Sequence, residues 1–166
     1  MKTSAQIYQR FIEFEERAAA LYFRLASHFS KNTELSSFWL DMGMQEKQHA
    51  GLLQFLLAEN LFAANLPDDS LIQKVDDAFR DFESRASDPE LSIPAAFQIA
   101  LEMESSEVND IYSHLTTSTH ASTYLWHRKI SILTPGHIGF LASAAHKFGA
   151  GDEVLHKLEL LKDSWA

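Results

Sequence analysis

The chain has 166 residues, enough to bury a sizeable core as one domain. Its formal charge of −9 argues against nucleic acid and anionic membrane surfaces as partners, because both need clustered Lys and Arg. No cysteine is present, which excludes disulfides, thiolate metal sites and thiol catalysis.

Only 6 Gly and 4 Pro interrupt a composition that is 46% hydrophobic, which favours long helices over many-turned sheets. Residues 4–30 place Tyr8, Phe11, Ala18, Tyr22, Leu25 and Phe29 at alternating spacings of 3 and 4, behind a Thr3/Gln6 capping-box pattern. Asn32 and Thr33 offer caps for a second helix to about residue 62, and NLPDDS then breaks the pattern. A shorter amphipathic helix is expected around Leu71–Phe82, with Asp76, Asp77, Asp81 and Glu83 as a solvated acidic face. A third long helix begins near Ser92 or Ile93, its stripe carrying Phe97, Leu101, Val108, Ile111 and Leu115. TTSTHAST weakens that helix near residue 118, and TYLWHRKISIL reads as a short helix or an apolar connection before TPG stops it. A final helix is expected over roughly 138–164, with a kink or restart at Gly149–Gly151. The predicted fold is all-α: an up-down four-helix bundle over a single domain 1–166, with a long crossover containing a short helix between helices 2 and 3. MKTSAQIYQRF has no apolar core of signal-peptide type and no 18-residue apolar run occurs, so a soluble cytoplasmic protein is expected.

Each long helix places an acid within its apolar stripe. Glu15 lies between Phe11 and Ala18, and Glu46 and His49 lie between Met42 and Leu53. Glu104 lies between Leu101 and Val108, and Glu153 and His156 share a face with Leu160 in DEVLHKLELL. Residues i and i+3 are about 60° apart around a helix, so Glu and His at that spacing converge on one point. The order repeats: a helix with Glu15 precedes Glu46-x-x-His49, and one with Glu104 precedes Glu153-x-x-His156. Four buried carboxylates and two imidazoles are costly in isolation, and two divalent cations would remove the cost. A Glu from each of two helices plus Glu-x-x-His from each of the other two is the donor pattern of di-iron and di-manganese carboxylate bundles.

The phrase FIEFEERAAALYFRLA, with Glu15 seven residues before Tyr22, resembles the first helix of the rubrerythrin branch of the ferritin-like superfamily. MQEKQHAGLL resembles the second helix of that branch, ALEME the third and DEVLHKLELL the fourth, so the likeness spans most of the chain. The resemblance implies metal ligation by Glu15, Glu46, His49, Glu104, Glu153 and His156, around two Fe ions, with Mn or mixed metals as the alternative. It further implies an oxo-bridged centre that reduces peroxide or oxidises ferrous iron, and a homodimer. Rubrerythrin-type sites often carry a further Glu three residues after the third-helix ligand, where Glu107 stands. Glu107 is therefore either a seventh ligand or a solvated acid beside the stripe. Tyr22 either bonds a ligand carboxylate or relays electrons, or it is a core tyrosine with a satisfied hydroxyl. His28, His114, His120, His127, His137 and His146 read as surface or loop residues.

Two departures bear on function. Rubrerythrins proper pass electrons from a cysteine-ligated rubredoxin domain, so a cysteine-free chain needs an external electron donor. The 49 residues from Glu104 to Glu153 exceed the 31 from Glu15 to Glu46, marking an insertion near 118–136. The leading expectation is a peroxidase acting on H2O2. The alternatives are a ferroxidase or iron-handling protein with Fe(II) or O2 as substrate, and a metal-binding module without turnover.

Overall fold

The computed structural model describes residues 2–107 and 136–163. These are helical, with no strand among the described residues, and comprise α1 (Ser4–His28), α2 (Thr33–Ala58), α3 (Asp69–Arg85), α4 (Ile93–Glu107), α5 (136–148) and α6 (Asp152–Asp163). No described helix is long and apolar enough to cross a membrane.

The helix ends follow from local chemistry. Thr3 and Gln6 form the expected capping box of α1, each side chain bonded to the other's backbone N–H. Asn32 caps α2 through the Leu35 N–H, and Asp68 caps α3 through the N–H groups of Ser70 and Leu71. Helix α2 stops short of residue 62 because Asn60 takes a left-handed conformation (φ 55°), and Leu61 N–H returns to the Leu56 carbonyl at 2.9 Å. Helix α5 ends the same way at Gly149 (φ 73°), where Ala150 N–H reaches the Ala145 carbonyl at 3.0 Å. Gly151, at φ 92°, then starts the chain on a new course. The expected final helix is thus two helices that the double-glycine corner turns apart.

Helices α1 and α2 form an antiparallel hairpin, with Ser36 Oγ donating to the Ala26 carbonyl near the turn and Tyr8 OH accepting from Ala63 N–H at the far end. Gly43 lets them approach closely, since a Cβ there would meet the Phe23 ring at 2.4 Å. Helix α3 returns along the outside of α1 and parallel to it. Phe14 stacks on Phe79, while Arg10 and Arg17 share Asp76 at 2.9 and 2.7 Å and Arg17 also grips Glu83. The chain therefore reaches the start of α4 beside the end of α1, where His28 Nε2 meets the Leu91 carbonyl at 3.0 Å. Helix α4 then runs parallel to α2, its Phe97 packed on Phe38 and Trp39. Helix α5 runs back antiparallel to α2: His137 meets Gln45, Phe140 meets Phe38, and Lys147 meets Glu34. Helix α6 packs on the outer side of α4.

Candidate metal centre

Between α1, α2, α4 and α5 lie five buried polar residues: Glu15, Glu46, His49, Glu104 and His137. Each is placed by the apolar residues one turn away. Phe11 and Ala18 fix Glu15, Met42 and Leu53 fix Glu46 and His49, and Leu101 fixes Glu104, all of these flanking residues being buried. His137 begins a stripe continued by Leu141 and Ala144, which are also buried.

Their donor atoms form two groups that share one residue. Glu15, Glu46 and His49 make the first, and Glu46, Glu104 and His137 the second, the ligand atoms of each group lying within 4.8 Å of one another. Glu46 sits at the junction. Its Oε2 is 2.9 Å from His49 Nδ1 and its Oε1 is 2.9 Å from His137 Nε2. His49 Nδ1 also lies 3.6 Å from Glu15 Oε2, and His137 Nε2 lies 2.7 Å from Glu104 Oε1. Tyr22 donates its hydroxyl to the same Glu104 oxygen at 2.6 Å, and its ring stacks on Trp39.

Burial alone would expel charge from this cluster, yet mutual pairing retains it. Burial would lower the His49 imidazole, but Glu46 and Glu15 outweigh it and raise the pKa to about 10. His137 is likewise raised, against burial, by Glu104 and Glu46. Burial would raise Glu46, but the two imidazoles hold it well below the usual carboxylate range. Burial pushes Glu15 up to about 7, with His49 opposing and the Glu46 charge adding to the rise. In the metal-free protein, protons on the imidazoles thus offset the carboxylates.

The donor set fits divalent metal. Carboxylate oxygens and imidazole nitrogens are the ligands that intermediate first-row ions prefer. Glu46 Oε1 is buried and has no well-directed hydrogen bond among the described residues, despite its 2.9 Å approach to His137. A buried carboxylate oxygen left short of a donor is costly unless a cation completes it.

Four of the expected ligands are therefore brought together: Glu15, Glu46, His49 and Glu104. Glu153 and His156 are not. Helix α6 buries Val154, Leu158 and Leu161, a face one residue out of phase with the one expected, and one residue is about 100° around a helix. Glu153 is 80% exposed and bonds Lys157 at 2.7 Å, while His156 is exposed and Leu160 is 57% exposed. His137, expected at the surface or in a loop, instead supplies the second imidazole and is only 2% exposed. No Glu-x-x-His announces it, since Thr134 stands three residues earlier. The signal that would have found it is the spacing of His137, Leu141, Ala144 and Phe148 after Pro135. The side chain of Glu107 and all of His114, His120 and His127 lie outside what is described, as does most of the expected insertion. Surface hollows of about 660 Å³ beside Lys2 and Pro67, and about 380 Å³ beside Phe38 and Phe140, share no residue with the cluster.

No protein-family model matches the chain, and neither a curated protein nor a solved structure is significantly similar to it.

Proposed function

We propose that this protein is a dinuclear metal oxidoreductase of ferritin-like, rubrerythrin-like build, whose α1, α2, α4 and α5 form a four-helix bundle with α3 as the crossover. The observation that carries the reading is Glu46, one carboxylate whose two oxygens face two different imidazoles. That placement suits a bridge between two ions, one capped by Glu15 and His49 and the other by Glu104 and His137. The two imidazoles come from α2 and α5, so the donor pattern keeps the inward-facing logic of such bundles without the second Glu-x-x-His. The resemblance of the α1 and α2 motifs to rubrerythrin favours iron and peroxide.

Held by Glu15, Glu46, His49, Glu104 and His137, a pair of ferrous ions would supply the two electrons that, with two protons, reduce H2O2 to two waters. An electron donor outside the chain, a reduced redox protein or small molecule, would return both electrons. The protein's own part is placement and exclusion. Glu15, Glu46 and Glu104 would offset the charge of the cations they hold. Tyr22 holds one oxygen of Glu104, and the buried rings of Tyr22, Trp39 and Phe97, packed on one another, wall that side from water.

Anaerobic loading of metal-free protein with Fe(II), followed by H2O2, tests the reading. Two irons per chain, oxidised by one equivalent of H2O2 and restored by added reductant, are expected. Continuous consumption of Fe(II) with mineral formation would replace the peroxidase reading with iron handling. A chain that takes up no stoichiometric metal would end the dinuclear reading.

A further inference from the structure

The two ring nitrogens of His137 have different surroundings. Nε2 faces Glu104 Oε1 and Glu46 Oε1, whereas Nδ1 lies 3.0 Å from Oε1 of Gln45. Gln45 precedes Glu46 in the chain, and successive residues project about 100° apart around a helix. Helix α2 therefore reaches the same ring at both nitrogens, with the carboxylate at one and the amide at the other. An amide oxygen can only accept, so the bond to Gln45 keeps a proton on Nδ1. A neutral imidazole carries a single N–H, and with that proton on Nδ1 the lone pair lies on Nε2, among the carboxylates.

We propose that Gln45 is a positioning residue that fixes the tautomer and orientation of His137, and with them metal affinity in the Glu46–Glu104–His137 half of the centre. The inference rests on the dinuclear reading above and adds a residue to it. A ligating imidazole usually has its other N–H held by a carboxylate, a backbone carbonyl or water. A neutral amide does this without adding a fourth negative charge to a cluster that already buries three carboxylates. The other imidazole is turned the opposite way: His49 presents Nδ1, not Nε2, to its carboxylates. Among the described residues Gln45 bonds His137 alone, so its loss weakens one metal position and spares the other.

The test is titration of metal-free protein with Co(II), whose visible absorption reports coordination, on the wild type, Gln45→Leu and Gln45→Glu. The wild type is expected to bind two ions. Gln45→Leu is expected to keep one at unchanged affinity and to bind the other about 10–100-fold more weakly. Gln45→Glu is expected to restore the second position, because a carboxylate accepts the same proton. Unchanged affinity for both ions in Gln45→Leu overturns the inference while leaving the dinuclear reading intact. A wild type that binds fewer than two ions overturns the dinuclear reading, and the inference falls with it. A second measurement needs no variant. In Zn(II)-loaded wild type, the nitrogen chemical shifts of His137 are expected to show a protonated Nδ1 and a metal-bound Nε2, and a proton on Nε2 would overturn the inference.

Discussion

The Tyr22 hydroxyl donates to Glu104 Oε1 at 2.6 Å, and that same oxygen lies 2.7 Å from His137 Nε2. Three helices thus meet at one carboxylate atom, and the tyrosine is the member that brings no charge. Replacing Tyr22 with Phe keeps the ring that stacks on Trp39 and removes only the donor. A hydrogen bond to a charged group contributes roughly 1.5–3 kcal/mol, so Tyr22→Phe is expected to lower the stability of the metal-free protein by about that much. Urea unfolding measures it. An unchanged midpoint would show that the hydroxyl does not hold Glu104.

The two imidazoles of the cluster and the exposed pair on α6 make opposite predictions. His49→Ala with His137→Ala is expected to abolish stoichiometric Fe(II) binding, since each group then keeps only carboxylates. Glu153→Ala with His156→Ala is expected to bind as the wild type does. Equilibrium dialysis with elemental analysis separates the two outcomes. Metal loss in the α6 variant would restore the ligand set expected from sequence.

Asp76 gives a pH prediction. Burial alone would raise its pKa, but hydrogen bonds from Arg17 and Arg10 and the charge of Arg80 outweigh it and hold the group low. The folded value therefore lies below the unfolded one of about 3.9. The resulting stability is present above about pH 4 and is lost as pH falls through the folded value. Asp76→Asn is expected to be less stable than wild type at neutral pH and to converge with it in acid. Melting temperatures across that range check it, and a difference that persists into acid would assign the effect to packing.

Two glycines of α2 predict opposite responses to one change. Gly51→Ala meets nothing within 4 Å and gains helix propensity, so it is expected to stabilise the protein by about 0.5–1 kcal/mol. Gly43→Ala gains the same propensity but drives its Cβ into the Phe23 ring, contacts of 2.4 and 2.6 Å that cost about 1–3 kcal/mol. Denaturant midpoints of the two variants should fall on either side of the wild type.

Where the sequence was legible, the physics was local. Thr3, Asn32 and Asp68 announce helix starts because a short polar side chain there satisfies otherwise orphaned N–H groups. Glu15, Glu46, His49 and Glu104 stand out because they interrupt apolar stripes, and those stripes face inward as expected. The structure differs from the expectation at α6 and at His137, each for its own reason. Glu153-x-x-His156 has the right spacing, but spacing does not fix which way a helix turns, and the phase of α6 is set by Val154, Leu158 and Leu161 packing elsewhere. His137 lacks a companion acid, and its signal is the plainer spacing with Leu141, Ala144 and Phe148 after Pro135. The Gly149–Gly151 corner, expected as a kink or restart, separates α5 from α6 and lets each helix take its own phase.

The outer face of α1 carries Arg10, Arg17 and Arg24, seven residues apart, and they are answered by Asp76 and Glu83 of α3 and by Ser87 just past its end. Such a ladder acts as a ruler. It measures how far the returning chain travels before it turns into α4, and so sets the height at which Glu104 arrives opposite Glu46. Slipping α3 by one helical turn would mispair each rung and deliver Glu104 about 5 Å away from its partners. The spacing of the inner donors is in this sense gauged from outside, by residues that never touch them.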